Sequence, residues 1–194
     1  MPEISLSCAC GKIIGFTKNV NAQSGNRIVC CCIDCQKFAI FLQQENQVLD
    51  QYNGTDIFQM PISYVKITEG NEHIACVKFS QKGLHRWYAK CCNTPIGNTL
   101  GHKAPFIGVI HNFMNNQATR DSDLGASLGI AHWQSAKISV PEEHKMSLFK
   151  ISMRVLGKLI MWKIRGLEQP SVFFNPDGST VSKPEVLKNK KREG

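Results

Sequence analysis

The sequence predicts a mainly β fold that is followed by an amphipathic helix and a short hairpin near the C-terminus. Over the first two thirds of the 194 residues, short segments rich in β-branched and aromatic residues alternate with turn signals, which is typical of antiparallel strands. After Pro141 the apolar residues recur with the period of a helix. We therefore predict a β domain over residues 1–135 and a basic C-terminal region over residues 136–194.

Individual strands are predicted where the β-rich segments are bounded by turns. These segments are Ile62 to Thr68, His73 to Ser80, Leu84 to Ala89 and Pro105 to Phe113. Turns are indicated at Glu69-Gly70-Asn71 and Gln81-Lys82-Gly83, because glycine and asparagine tolerate the backbone angles that turns require. The first three segments should form consecutive antiparallel strands.

A helix is predicted between Pro141 and Gly166. Proline suits a first helical turn, the following Glu142 and Glu143 complement the positive end of the helix dipole, and Gly166 is a stop signal. On a helical projection the basic residues form one narrow stripe, which consists of Lys150, Arg154, Lys158 and Arg165. Apolar residues cover most of the remaining circumference, namely Leu148, Phe149, Met153, Leu156, Leu159, Ile160, Trp162 and Ile164. A Pro176-Asp177-Gly178 turn then predicts a small hairpin.

The broad apolar arc of this helix needs a surface to cover it. Basic residues interrupt the arc too often for the helix to cross a bilayer, which takes about 18 uninterrupted apolar residues. We expect the arc to pack on the β domain or on a second subunit, and the latter would make the protein a homo-oligomer. Peripheral contact with an anionic membrane surface is the alternative.

The positive charge of the chain is concentrated in its last quarter. Residues 1–144 contain 12 Lys and Arg against 11 Asp and Glu, whereas residues 145–194 contain 11 against 4. The C-terminal Lys188, Lys190, Lys191 and Arg192 are not accompanied by an aromatic platform or a base-reading motif. We therefore predict a solvated tail and do not expect nucleic acid as a partner.

Nine cysteines carry most of the chemical information in the sequence. Their number is odd and no secretory signal is visible over Met1 to Ser7, so we predict a reducing, cytoplasmic location, where clustered thiols are typical of metal sites. The C-x-C-x-x-C spacing of Cys30, Cys32 and Cys35 directs three sulfurs at one ion about 2.3 Å away, and zinc is the expected metal. Three thiolates leave one position of a tetrahedral zinc open, as in catalytic sites.

Three cysteine motifs, taken together, resemble a known family. Cys8-Ala9-Cys10-Gly11 is followed by Cys30-Cys31-Cys32-Ile33-Asp34-Cys35 and then by Arg86-Trp87-Tyr88, which leads into Cys92-Asn93-Thr94-Pro95. Over residues 4–115 this order is similar to the glutathione-dependent formaldehyde-activating enzyme family, which includes the centromere protein V domain. The resemblance implies a β-tent fold of small antiparallel sheets around two zinc ions. It also implies an active-site zinc on Cys30, Cys32 and Cys35 and a structural zinc on Cys8, Cys10 and Cys92.

The chain departs from the family pattern at three positions. Ala89 stands where the family has the first cysteine of its late pair, so Cys91 is our first candidate for the missing ligand of the structural zinc. Asn93 replaces a glycine that is common after this pair, and Cys31 stands where the family often has histidine. The structural site is therefore expected to bind zinc more weakly, or through a different ligand set, than the site at Cys30.

The resemblance implies a carbon–sulfur lyase that reversibly forms S-hydroxymethylglutathione from formaldehyde and glutathione. A thiol that binds at an open zinc position would lose its proton, which agrees with such a reaction. The alternative is a non-catalytic module, stapled by zinc, whose basic helix binds a partner protein or a membrane surface. Among other candidates, Cys76 is expected to pack as a small apolar residue. Lone histidines are more often ordinary surface or core residues than ligands, and this is our expectation for His85, His102, His111 and His132.

Overall fold

The computed structural model describes residues 3–187, and it confirms the prediction of a mainly β protein with a C-terminal helix. The strands are β1 (Ser5–Ser7), β2 (Ile14–Thr17), β3 (Asn26–Cys30), β4 (Thr55–Met60), β5 (Val65–Glu69), β6 (Ile74–Lys78), β7 (His85–Ala89), β8 (Thr94–Thr99), β9 (Ile107–Ile110), β10 (Ile130–Ala131) and β11 (Glu185–Val186). The α-helices are α1 (Ile33–Leu42), α2 (Glu45–Val48), α3 (Arg120–Leu124) and α4 (Leu148–Ile164).

The strands form two sheets of different size. The smaller sheet is antiparallel, with the order β1-β2-β5. The larger sheet has eight strands in the order β10-β3-β4-β9-β8-β7-β6-β11. Its six inner strands are antiparallel to one another, whereas the short edge strands β10 and β11 run parallel to their neighbours. The larger sheet is therefore mixed, and its short edge strands limit the exposed edge.

We predicted that the first three β-rich segments pair consecutively, and this prediction is wrong for the first segment. β6 and β7 pair antiparallel as expected, with Cys76 opposite Trp87. β5, however, pairs with β2 in the smaller sheet. The chain changes sheet at Gly70, whose φ is +78° and where an added Cβ would lie 2.0 Å from the carbonyl oxygen of Lys12. Glycine at this turn therefore allows a left-handed conformation and a close backbone approach.

Residues from the C-terminal region complete the core of the β domain. Trp87 is fully buried, and its ring lies 5.0 Å from that of Phe173 and 5.6 Å from that of Phe174. The predicted hairpin is present as a tight turn that is closed by an antiparallel bridge between Phe174 and Thr180. β11 then extends the larger sheet beside β6. An independent β domain over residues 1–135 stays a prediction.

The C-terminal helix begins seven residues later than predicted. Glu142–His144 forms a single 3-10 turn, and the amide of Met146 then donates to the carbonyl oxygen of Ile130 at 3.0 Å, which holds the chain extended beside β10. Helix α4 starts only after Ser147, whose side chain caps it by accepting a hydrogen bond from the amide of Lys150. The predicted stop is confirmed, because Gly166 has a φ of +66° directly after the helix.

Helix α4 turns its basic stripe toward the protein body. Arg154 donates to Asn26 Oδ1 at 2.7 Å, and Lys158 donates to the carbonyl oxygen of Gln23 at 2.6 Å. Ile151 and Trp162 are buried on the same side. Most of the apolar arc faces solvent, so the expectation that it packs on the β domain is wrong for Phe149, Met153, Leu156, Ile160 and Ile164. The sequence does not reveal this orientation of the helix. The groups that Arg154 and Lys158 bind, Asn26 and the backbone of Gln23, are neutral, so no opposite charge in the sequence marks them as partners.

Within residues 3–187, α4 and the other helices are too short or too polar to cross a membrane. The predicted solvated tail at Lys188, Lys190, Lys191 and Arg192 lies outside the described residues.

Candidate metal centres

The three cysteines of the C-x-C-x-x-C motif converge at the junction of β3 and α1. Cys30 is the last residue of β3, Cys32 is the residue that caps α1, and Cys35 lies in the first turn of that helix. Their three sulfur atoms all lie within 4.8 Å of one another. Cys30 and Cys35 are buried and Cys32 is half-buried, so the cluster meets solvent at Cys32. We call these residues the three-thiol centre.

The surroundings of the three-thiol centre favour a negative charge on Cys32. Hydrogen bonds from the thiols of Cys30 and Cys35 lower the pKa of Cys32 to about 2. The same contacts, together with burial, raise the pKa of Cys30 far above its usual range. The positive end of the α1 dipole also favours thiolate at its first turn. The three thiols therefore share one charge when they are alone, and a bound cation would allow all three to ionise.

A buried arginine lies beside this centre. Arg86 is 2% exposed, and its Nη1 lies 3.9 Å from the sulfur of Cys35 and 3.1 Å from Asn98 Oδ1. Its Nη2 lies 3.6 Å from a carboxylate oxygen of Asp34 at the solvent edge of the cluster. Neither the role of Arg86 nor that of Asn98 was expected from the sequence. The sequence signal that could have pointed to Arg86 is a charged residue within a β-rich segment whose side chain faces inward.

Four further cysteines form a second group, which we call the four-thiol centre. Cys8, Cys10, Cys91 and Cys92 come from the start of the chain and from the turn between β7 and β8. Cys91 lies 3.4 Å from Cys10 and 3.8 Å from Cys8, measured between sulfur atoms. Cys8 and Cys10 are 3.6 Å apart. Cys91 is therefore the fourth thiol of this group, for which the sequence has no cysteine at position 89.

Adjacent Cys91 and Cys92 reach the same centre because the chain turns sharply. The amides of Cys92 and Asn93 both donate to the carbonyl oxygen of Ala89, and Asn93 has a φ of +57°. Asparagine tolerates this left-handed conformation, so the turn forms without a glycine at position 93. Ala89 itself is fully buried and pairs with Thr94, which leaves no place for a ligand at position 89.

Thr94 stabilises a thiolate in the four-thiol centre. Burial would raise the pKa of Cys92, but hydrogen bonds from Thr94 and Cys10 together outweigh it and lower this pKa to about 6. The hydroxyl oxygen of Thr94 lies 3.1 Å from the sulfur of Cys92 and accepts a hydrogen bond from the amide of Ala9 at 2.9 Å. When Cys92 is ionised, the Thr94 hydroxyl is the donor of this contact.

The remaining cysteines are not part of either centre. Cys31 is fully buried, its thiol donates to the carbonyl oxygen of Tyr52 at 3.6 Å, and burial raises its pKa to about 11. Cys76 lies in the main hydrophobic core, where burial raises its pKa to about 12. Both behave as small apolar residues, as expected for Cys76. Within residues 3–187, the groups of possible metal ligands contain cysteines alone, without a histidine.

The geometry of both centres fits a metal ion. All nine cysteines are free thiols, so no disulfide competes for their sulfur atoms. Four sulfurs at 2.3 Å from a central ion in a tetrahedron are about 3.8 Å apart. Four of the sulfur–sulfur separations in the four-thiol centre lie between 3.4 and 3.8 Å, close to this value, and the others are within 4.8 Å. The four-thiol centre provides a closed ligand set, whereas the three-thiol centre provides three ligands and one open side.

Comparison with known proteins gives the family of the chain. No curated protein matches it. A similar solved structure is a crystal structure of a Rhodobacter sphaeroides protein, a Northeast Structural Genomics target, with 15% sequence identity and a TM-score of 0.44 over 63% of this chain and 96% of that chain. A family model matches residues 2–182, which is most of the chain. The chain therefore belongs to DUF6151, a family of unknown function.

Proposed function

We propose that the protein is a zinc-dependent carbon–sulfur lyase that acts on the adduct of a small thiol and an aldehyde. The observation that carries this proposal is the contrast between the two centres. The four-thiol centre has the complete ligand set of a structural zinc, and the three-thiol centre has the incomplete set of a catalytic one. The resemblance of the cysteine motifs to the formaldehyde-activating family points to glutathione and formaldehyde as the pair.

Zinc is the metal that suits ligand sets made only of cysteine in a reducing compartment. Thiolate ligands select zinc, copper(I) or iron–sulfur clusters, and the tetrahedral spacing of the four-thiol centre fits zinc or an iron–sulfur site. The resemblance of the cysteine motifs to a zinc family leads us to propose zinc. In the three-thiol centre, Cys30, Cys32 and Cys35 would hold the ion. When bound, zinc would supply the positive charge that lowers the pKa of an incoming thiol. A cytoplasmic location, where glutathione is abundant, belongs to the same proposal.

The residues around the three-thiol centre support this chemistry. Cys32 forms the exposed edge of the centre, so a substrate approaches there, next to Asp34. Buried Arg86 lies beside Cys35 and offsets the excess negative charge of three thiolates. The reaction conserves atoms and charge. The sulfur of the thiolate forms a bond to the carbonyl carbon, the carbonyl π bond breaks, and the proton released by the thiol returns to the resulting oxygen.

The test is to measure turnover and zinc in the same samples. Purified, reduced protein should accelerate the exchange between formaldehyde, glutathione and S-hydroxymethylglutathione, as followed by NMR exchange spectroscopy. Cys32→Ser should abolish this acceleration and remove one zinc while the protein keeps a cooperative unfolding transition. Cys76→Ala, a thiol of the core that lies in neither centre, is the matched control and should keep both turnover and zinc.

Two results would argue against the enzyme. Wild-type protein that contains two zinc ions per chain and yet leaves the exchange rate unchanged would favour the non-catalytic module. Turnover that survives Cys32→Ser would place the reaction elsewhere in the protein.

A further inference from the structure

The solvent-facing side of α4 carries a continuous apolar stripe. It consists of Phe149, Met153, Leu156, Ile160 and Ile164, which are between 49% and 81% exposed. Their spacing of three or four residues places them on one face of the helix. Single exposed apolar residues are ordinary on protein surfaces, but an aligned row of five along a helix marks an interaction surface.

The stripe is held away from the body by contacts on the opposite side of α4. Ile151 and Trp162 are 9% and 3% exposed and anchor the helix to the core. Arg154 and Lys158 add hydrogen bonds to Asn26 and to the backbone of Gln23. An added Cβ at Gly157 would meet no atom within 4 Å, so nothing covers this part of the helix. The stripe is therefore presented by a helix that is already formed.

The charged residues of α4 are all basic. Lys150 and Lys163 lie beside the stripe, whereas Arg154 and Lys158 are turned toward the body. The sequence of α4 contains Lys150, Arg154, Lys158 and Lys163 and no acidic residue. Among the ion pairs of the described residues, only Lys163 of these four contacts a carboxylate, that of Glu168. At the C-terminal end of the stripe, Ile160 and Ile164 border an apolar groove with Ala104 and Pro105, and Lys103 stands at its edge. The partner must therefore combine an apolar interior with negative charge.

We propose that this stripe docks the protein on an anionic lipid surface, with α4 lying in the plane of the membrane interface. A helix of 17 residues with large apolar side chains on one face, and with Lys150 and Lys163 beside them, matches such a surface. Apolar side chains would enter the boundary between headgroups and acyl chains, and Lys150 and Lys103, which pair with no carboxylate within residues 3–187, would pair with anionic headgroups.

A second copy of this chain fits the stripe less well. Self-association through the stripe would bring Lys150 and Lys163 of the two copies near one another, and α4 has no carboxylate to compensate them. Docking on lipid is also independent of the proposed lyase chemistry, because none of the residues of the stripe belongs to either thiol centre. Cys32→Ser, which should remove turnover, should therefore leave lipid binding unchanged.

Co-sedimentation with vesicles tests this proposal on the full chain. The protein should bind vesicles that contain phosphatidylserine and phosphatidylcholine, and bind pure phosphatidylcholine vesicles much less. Binding should weaken at an ionic strength of about 1 M, where screening acts within about 3 Å. Lys150→Glu should reduce the affinity at least about fivefold, since each basic residue near an anionic surface contributes about that factor. Ile160→Ser should reduce it as well.

Matched variants on α1 serve as controls. Ile40 is 56% exposed, against 54% for Ile160, but it lies beside the acidic residues Glu45 and Asp50. Ile40→Ser and Lys37→Glu should leave vesicle binding and the melting temperature unchanged. Equal loss of binding in the α1 and α4 variants would overturn the proposal. So would a wild-type dimer, seen by light scattering without vesicles, that Ile160→Ser converts to a monomer.

Discussion

The guanidinium group of Arg86 lies 3.9 Å from the sulfur of Cys35, in a position that is closed to solvent. Three thiolates around a divalent ion carry a net charge of about −1, and a buried charge of this kind is costly unless a counter-charge lies nearby. Arg86 supplies that counter-charge. Its guanidinium also lies over the rings of Phe38 and Phe79, at 5.7 and 5.3 Å from their centroids. The strand β7 thus links the hydrophobic core to the three-thiol centre.

Replacement of Arg86 should weaken the three-thiol centre more than the four-thiol centre. Arg86→Met keeps much of the apolar contact with Phe38 but removes the charge and leaves Asn98 without its partner. We expect zinc affinity at the three-thiol centre to fall about 10- to 100-fold, as is usual when a group that supports metal ligands is lost. The loss of a buried hydrogen-bond partner should also lower the free energy of unfolding by about 1–3 kcal/mol.

Competition with a chromophoric chelator measures the first effect, and urea denaturation measures the second. Arg165→Met, at an exposed position after α4, is the control and should change neither quantity. If the zinc affinity of Arg86→Met equals that of wild type, the guanidinium has no electrostatic role at the centre.

The count of zinc per chain should identify Cys91 as a ligand. Its sulfur lies within 3.8 Å of those of Cys8, Cys10 and Cys92, whereas Cys31 points to the backbone of Tyr52. Reduced protein should contain two zinc ions, and Cys91→Ala should contain about one, because the four-thiol centre then lacks one of its four ligands. Elemental analysis gives the count.

Cys31→Ala is the control. Cys31 is also adjacent to other cysteines in the sequence but belongs to neither centre, so this variant should keep both zinc ions. Since a structural zinc contributes to folding, Cys91→Ala should also melt at a lower temperature than Cys31→Ala. Two zinc ions in Cys91→Ala, or one in Cys31→Ala, would contradict the ligand assignment.

The pH dependence of stability should carry a contribution from His85. Burial lowers the pKa of His85 below its ordinary value of 6.5, and the positive charge of Lys78 acts in the same direction. His85 is stacked on Trp87, with ring centroids 6.0 Å apart. The unfolded chain therefore binds a proton more readily than the folded one. Neutral His85 therefore makes its full contribution to the free energy of unfolding above pH 6.5. This contribution is lost as the pH falls from 6.5 through the pKa that His85 has in the folded protein.

His85→Phe keeps an aromatic ring against Trp87 and removes the titration. Between pH 7 and pH 5, the free energy of unfolding of this variant should fall by less than that of wild type, as measured by urea denaturation at each pH. His144→Phe, at an exposed position before α4, should follow the wild-type curve. Parallel curves for wild type and His85→Phe would show that His85 does not titrate in this range.

Local pattern was enough to predict the β class, the β6–β7 pair, the turn at Gly70 and the end of α4. Each of these depends on residues that are close in sequence, such as the alternation around Trp87 or the stop at Gly166. The sheet that β5 joins was not predictable, because pairing with β2 is a long-range choice that the composition of β5 does not encode. The start of α4 was missed for the same reason, since the bond between Met146 and Ile130 overrides the helix signal at Pro141.

The cysteine motifs predicted which thiols come together better than they predicted the residues that surround them. Spacing alone indicates that Cys30, Cys32 and Cys35 converge, because two of them lie in one helical turn. Arg86 and Thr94 reach the centres from strands far along the chain, so only the fold reveals their contacts. The orientation of α4 was also not predictable from the sequence. An amphipathic pattern indicates that the helix has two different faces, but it does not indicate which face packs on the body.

Two aspartate substitutions in α4 should separate its buried and exposed sides. Ile151 is 9% exposed and packs in the hydrophobic cluster that includes Phe38, whereas Leu156 is 49% exposed on the apolar stripe. Ile151→Asp buries an unpaired carboxylate and should lower the free energy of unfolding by about 3 kcal/mol or more. Leu156→Asp places its carboxylate in water and should cost less than about 1 kcal/mol. Urea denaturation without lipid measures both values. A cost of Leu156→Asp as large as that of Ile151→Asp would mean that the stripe is covered by the protein in solution, and α4 would then have no free face.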